Sequence, residues 1–253
     1  SGVQTWDAKR RNTEGWAGKD NTGVFFQTNY DTGKIKFSAG ARREWVDYQF
    51  NDNSDNDKFI AYDLGINRSI NDHLSIFSNF NSSFMAPDVD RWFKWPDSFN
   101  GFIEPTTSNT INVGLNHVTS KNKLKATVYG MKLQKEQLFN PINWNNTNID
   151  KSHKYGIEIQ NKHIFDDQIF ATINYTFTRA IIDRIEDAEA TNMSCGTFEC
   201  NGNTIPGVSE HNITIGITFT PTLQDRFQLT QNYRSEAYVL EDIANNESQK
   251  NIP

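Results

Sequence analysis

Ser209, Glu210 and His211 stand side by side and are the residue types of a hydrolytic set. Neighbouring residues of an extended chain point to opposite faces, so these three cannot converge on a substrate without a partner from elsewhere. The five histidines, His73, His117, His153, His163 and His211, are scattered over separate segments, where each reads equally well as a polar strand or turn position. The sequence has no Gly-rich phosphate loop, no His-Glu-x-x-His and no Gly-x-Ser-x-Gly. An enzyme is therefore not expected, nor a resident cofactor. Cys195 and Cys200 lie close together in a Gly/Asn/Thr-rich stretch. A disulfide closing so short a loop suits an oxidising compartment, with two free thiols as the plainer alternative. Zinc needs four ligands, and only His211 is at all near, so no metal site is expected.

Binding chemistry is better represented than catalysis. Between Phe84 and Pro105 the chain carries Arg91, Trp92, Phe93, Lys94, Trp95, Phe99 and Phe102. Flat aromatic faces beside cations suit an organic chelate bearing carboxylate or catecholate groups. The same residues could instead pack the loop onto itself, or form an interfacial girdle with the cations at headgroup anions. Trp144 and Tyr238 share that ambiguity.

The elements that must position these residues announce themselves by a period of two. Ile169, Ala171, Ile173, Tyr175 and Phe177 alternate with mostly polar residues, and Ile213, Ile215, Ile217 and Phe219 repeat the pattern. Less regular versions run through Ile35 to Ala39, Ile60 to Ile66, Ile111 to Leu115, Leu124 to Val128, Tyr155 to Ile159 and Phe227 to Leu229. About ten strands follow from this count. Short turns near Asp31-Thr32-Gly33, Asn71-Asp72-His73, Lys121-Asn122, Asp166-Asp167 and Pro221 to Asp225 alternate with longer connections at about 51–57, 85–106, 139–152 and 185–208. Tight turns at one end and long loops at the other characterise an up-and-down barrel of the outer membrane, and residues 1 to about 20 are expected in an external loop.

Composition agrees with an all-β transmembrane barrel. Only 36% of the 253 residues are hydrophobic although 13% are aromatic, and the mean hydropathy is −0.68. Strands that show lipid only every second side chain produce that mixture, whereas one large dry core does not. The formal net charge of −6 and the lack of a clustered basic stretch argue against a nucleic-acid partner. On the polar side of the strands, Lys36, Arg42, Glu44, Glu158 and Arg234 are expected to face a water-filled lumen, where they could guide a ligand, hold a neighbouring domain or simply be solvated.

Four strings carry a family likeness. Ser83-Phe84-Met85-Ala86-Pro87-Asp88 is similar to a Phe-Arg-Ala-Pro stretch at the top of a strand, with Met85 where arginine is usual. Ile103-Glu104-Pro105-Thr106-Thr107-Ser108-Asn109 followed by Ile111-Asn112-Val113-Gly114-Leu115 looks like a proline-marked re-entry, and Tyr155-Gly156-Ile157-Glu158-Ile159 like a Gly-x-Glu strand. Ile205-Pro206-Gly207-Val208-Ser209-Glu210-His211 resembles an approach to a late strand. Each is a weak motif alone, but in this order the chain from about 22 to 240 resembles the TonB-dependent outer-membrane receptors, the siderophore and metal-chelate receptor family.

That resemblance implies a barrel of about twenty-two strands with a plugged lumen, seated in the outer membrane of a Gram-negative bacterium. It implies partners too: outer-membrane lipid, a metal-chelate ligand such as a ferric siderophore, and the TonB complex reached through the plug. Nothing in residues 1–253 looks like a plug or like the family's closing Asn-Leu-Phe-Asp region and terminal aromatic strand, so the chain is expected to be one partial barrel domain. Haem receptors of the family use histidine in the loop region, and none occurs from Phe84 to Pro105. Two other readings compete: a self-contained pore or adhesin-like barrel, and a soluble β-sandwich that binds carbohydrate through exposed tryptophans.

Overall fold

A computed structural model describes residues 2–11, 15–94, 98–140, 145–185, 200–239, 242–246 and 248–249. The strands are β1 (Gly2–Arg11), β2 (Trp16–Asp31), β3 (Ile35–Phe50), β4 (Asn53–Ser69), β5 (Leu74–Met85), β6 (Phe93–Lys94), β7 (Ser98–Phe99), β8 (Thr106–Val118), β9 (Asn122–Asn140), β10 (Asn145–Ile164), β11 (Ile169–Arg184), β12 (His211–Phe219), β13 (Phe227–Arg234), β14 (Ala237–Tyr238) and β15 (Ser248–Gln249). Eleven of them form one sheet in the order β1-β2-β3-β4-β5-β8-β9-β10-β11-β12-β13, every neighbouring pair antiparallel. Only a single turn of 3-10 helix, Val89–Trp92, interrupts the strands among the described residues.

The alternation read from sequence becomes rows of directly opposed side chains. Phe37 faces Ile66 across β3 and β4, and Val113, Val128, Ile157 and Phe177 form an unbroken row across β8 to β11. Among the described residues no second sheet covers them. Leu64 is 54% exposed, Ile111 and Val128 52%, Leu229 71%. Rows of this kind in a sandwich would be clasped between two layers, so the soluble β-sandwich reading is overturned. The other face is polar, with Asn79 bonded to Asn112 (2.6 Å) and Tyr129 to Thr178 (2.7 Å).

The register also gives the strand tilt. The row through Ile66 runs by direct pairing through Ser78, Val113, Val128, Ile157 and Phe177 to His211. It lies three residues from the turn end of β4 but eight from the turn end of β12, a drift of five residues over six strand-to-strand steps. A stagger near one residue (about 3.3 Å) per strand spacing (about 4.8 Å) corresponds to a tilt of roughly 30 to 35°. The hydrophobic stretches drift the same way, from Ile60–Ile66 on β4 to Ile213–Phe219 on β12. Tilted strands with a level apolar band give this pattern in an outer-membrane barrel.

Two expectations are corrected. Residues 1 to about 20 are not an external loop: Gly2–Arg11 pairs with Trp16–Phe25 as the hairpin β1-β2, adding the eleventh strand. The connections near 51–57 and 139–152 are not long either. Phe50 pairs with Asn53 around a two-residue turn at Asn51-Asp52, and β9 runs to Asn140 before β10 begins at Asn145. These strands continue past the apolar band, where stretches such as Asn53–Asn56 are exposed and polar on both faces and the period-two signal fades. The loops at 86–105 and 185–210 remain long.

On the polar face, rings lie over glycines. Phe77 covers Gly114, and a Cβ on Gly156 would meet first the carbonyl oxygen of Phe177 on the neighbouring strand and then the Tyr129 hydroxyl at 2.7 Å. Gly130 is on the apolar face, where the nearest atom to a built Cβ is Ile111 Cγ2 at 3.9 Å. We expect Gly156→Val to cost roughly 1–3 kcal/mol by overpacking, lowering the temperature at which the folded band of the full-length protein disappears on a heat-modifiability gel. Gly130→Val should leave that temperature unchanged; equal behaviour of the two variants would refute the assignment of faces.

Candidate functional site

The loop that carries the candidate ligand residues folds back onto the polar face. Trp92 is fully buried and Phe93 6% exposed, in a cluster with Ala17, Val46, Tyr48, Phe50 and Phe59 of β2, β3 and β4. Val46, Tyr48 and Phe50 share the parity of Lys36, Arg42 and Glu44 along β3, which places the loop on that side of the sheet. Ring contacts hold it there. Trp92 meets Tyr48 edge-on at 5.6 Å and Phe102 at 4.9 Å, and Phe50 meets Phe93 at 5.1 Å and Phe99 at 4.7 Å. Of the readings open for these rings, self-packing describes their position: Trp92 and Phe93 have no free face, and Phe99 and Phe102 are half-buried. Sequence composition names such rings but cannot say which surface they cover.

Arg91 differs from them. It is exposed, and its Nη1 donates to Asn146 Oδ1 at 3.1 Å, while Asn146 Nδ2 donates to the carbonyl of Phe93 at 3.1 Å. The backbone of Lys94 pairs with Ser98 in the β6-β7 hairpin. Trp95 and Trp144 lie outside the described residues, as does Cys195. Tyr238 is half-buried in β14 and its carbonyl accepts from Gly207 N at 3.0 Å.

Polar clasps fix both ends of the loop. At the start, Lys19 Nζ donates to the Ala86 carbonyl at 3.3 Å and lies 3.7 Å from Asp88. At the finish, Lys135 Nζ lies 2.6 Å from both Glu104 and Asp150. The Asp150 and then the Glu104 carboxylate hold that ammonium above the ordinary lysine range. Lys135 adopts a left-handed backbone (φ 57°), and its carbonyl accepts from Thr106 Oγ1 and Asn148 Nδ2 at 2.8 Å each. Asn148 also bonds both backbone groups of Glu104. Lys135, Asn146 and Asn148 were not singled out from sequence, because lone polar residues at strand ends carry no distinguishing pattern.

A second cluster lies on the same face at β10 and β11: Ile149, Ala180, Ile182, Ile185, Cys200, Ile205 and Ile243. Cys200 is buried there and disulfide-bonded. The Ser209-Glu210-His211 run disperses. Glu210 lies 3.9 Å from Arg179, and His211 Nδ1 is 3.0 Å from the Tyr175 hydroxyl.

The five charges expected on the polar face do share one. Direct pairing runs from Lys36 through Asn67, Phe77, Gly114, Thr127, Glu158, Thr176 and Asn212 to Arg234, a single row across the sheet. Arg42 and Glu44 lie further along β3, bonded to each other, and Glu44 also accepts from Asn21 at 2.7 Å. Lys36 pairs with Asp31 at 3.1 Å near the turn.

The sequence that builds this sheet matches one family model, TonB dependent receptor-like, beta-barrel, over residues 2–251. The chain belongs to the TonB-dependent receptor family. Receptors of this family are outer-membrane proteins of Gram-negative bacteria, and the two-faced antiparallel sheet is that of a transmembrane barrel. Among solved structures, the siderophore receptor PiuA from Acinetobacter baumannii superposes with a TM-score of 0.69 at 18% identity, covering 92% of this chain and 35% of that one. The ferric yersiniabactin uptake receptor FyuA from Yersinia pestis gives 0.70 at 15%, covering 93% and 37%, and the copper transporter OprC 0.68 at 13%, covering 87% and 36%. The chain thus spans about a third of the length of these receptors. A search of curated sequences found no match.

Trp92→Ala should remove about 3 kcal/mol of the loop's local stability, and so lower hydrogen-exchange protection of residues 86–94 by about two orders of magnitude. Protection in the β8 to β11 strands should not change. Unaltered loop protection would show that Trp92 is not what holds the loop in.

Proposed function

We propose that this chain is the barrel portion of a TonB-dependent importer for a ferric siderophore or similar metal chelate, captured by external loops and passed through a plugged lumen. The observation that carries the reading is the family match over residues 2–251. Two of the similar structures are a siderophore receptor and a ferric yersiniabactin uptake receptor, and a third is a copper transporter. The geometry supplies parts for the task. Arg91, on the exposed side of the packed loop, offers a planar cation for carboxylate or catecholate oxygens. Lys94, Trp95, Trp144 and Tyr238 remain candidates beside it, while Trp92, Phe93, Phe99 and Phe102 act as the packed base that positions the arginine. The row from Lys36 through Glu158 to Arg234 is suited to charge-assisted contact with a plug or passing ligand. The pairing of Cys195 with Cys200 belongs to the same proposal, as a staple of the second inward-folded loop.

The test is uptake of radio-iron in cells that express the full-length receptor as their sole importer, with a ferric catecholate and ferric citrate offered separately. Saturable uptake of at least one chelate is expected, abolished by deletion of TonB. Arg91→Ala should raise the half-saturating concentration about tenfold, the loss of one charged hydrogen bond. Uptake that persists without TonB would sink the reading and favour a simple pore.

A further inference from the structure

The lipid-facing side of the sheet does not end in neutral residues everywhere. Above the apolar row, Lys132 of β9 directly faces His153 of β10, and Lys151 of β10 directly faces Arg184 of β11. Arg179 faces Tyr155 one pair closer to the band. Lys132, Lys151, His153 and Arg179 keep the parity of Val128, Ile157 and Phe177, and the register shift beside Lys151 brings Arg184 onto the same side as its partner. Opposed residues stand about 5 Å apart at Cβ and alternate residues about 7 Å, so the group occupies one patch two strand spacings wide.

Part of its charge is compensated, and Arg184 has a partner of its own. His153 Nδ1 is 2.8 Å from Asp183, and Arg179 is 3.9 Å from Glu210. Lys132 and Lys151 are exposed with no carboxylate partner among the described residues. This happens on a chain whose formal net charge is −6. The neighbouring positions on β5 and β8, Ser82, Thr107 and Asn109, are uncharged, which separates the patch from the Arg43-Trp45-Lys58 group on β3 and β4. Tyr155, stacked on His153 at 6.0 Å, sits between the cations and Ile157 as an interfacial aromatic does. Cations aimed away from the lumen, at the depth where hydrocarbon gives way to headgroups, meet one abundant kind of anion there: lipid phosphate.

We propose that the Lys132, Lys151, His153, Arg179 and Arg184 patch binds the phosphate groups of an outer-leaflet lipid headgroup. The site requires the membrane placement of the barrel but is independent of which chelate the receptor carries. Two lysines and two arginines around one imidazole can hold more than one phosphate oxygen at once, which selects a multiply charged headgroup over a zwitterionic one.

Native mass spectrometry tests this on the detergent-extracted, full-length receptor, delipidated and then offered bis-phosphorylated lipid A, its dephosphorylated form, or phosphatidylglycerol. The wild type should retain bis-phosphorylated lipid A in preference to the other two. The double variant Lys132→Ala/Lys151→Ala should lower that retention at least tenfold, with folding checked by heat-modifiable mobility. Arg68→Ala, which removes a cation from the same face at the opposite end of the strands, should leave it unchanged. Equal retention of phosphorylated and dephosphorylated lipid, an unaffected double variant, or an equal loss in Arg68→Ala would each overturn the proposal.

Discussion

Hydrocarbon offers no partner to a peptide N–H or C=O, and this single fact dictates the rest of the molecule. A chain that crosses by strands must satisfy every backbone group from a neighbour, so each strand of the sheet is flanked in sequence by the ones it bonds to. Side chains then have no choice but to alternate between lipid and lumen. The uninterrupted antiparallel order from β1 to β13 and the unbroken row Val113-Val128-Ile157-Phe177 are two views of that constraint. The low mean hydropathy follows as well, since half of each strand answers to water.

Beyond the apolar band the constraint relaxes, and the structure uses the freedom in a consistent way. Strands β3, β4, β9 and β10 extend outward, loop residues such as Trp92, Phe93, Cys200 and Ile205 turn inward, and both aromatic and aliphatic clusters form on the lumen side. The interior of an outer-membrane barrel is polar, so these clusters are small dry patches built where a larger core is not available. They make the mouth of this segment a packed surface while the lumen row nearer the turns stays polar.

Particular residues show how much of this could be read from sequence. Ile213 to Phe219 and Ile169 to Phe177 declared their strands because the lipid enforces alternation there. Lys36, Glu158 and Arg234 fall on one row of the opposite face by the same alternation. Gly2–Arg11 and the upper parts of β4 and β10 were missed, since residues such as Asn53, Asp55 and Asn56 meet water on both sides and nothing enforces a period. Trp92 and Phe93 were singled out with ligand contact, self-packing and an interfacial girdle all left open: whether a ring faces a ligand or Tyr48 depends on a contact between segments 44 residues apart. Lys135 was invisible for a related reason, its role arising only when Glu104 and Asp150 arrive together.

The loop spanning residues 86 to 105 is fastened at places far apart in the sheet. Its rings rest on β2 to β4, while Arg91, Phe93 and Glu104 are held by Asn146, Asn148 and Lys135 on β9 and β10. It therefore runs like a chord across an arc, joining strands that the sheet itself connects only by way of β5 and β8. A chord fixes the width of the arc it subtends. Spreading or narrowing the rim at this point requires the whole strut to let go at once, which makes the rim stiff against small loads and abrupt in its response to large ones.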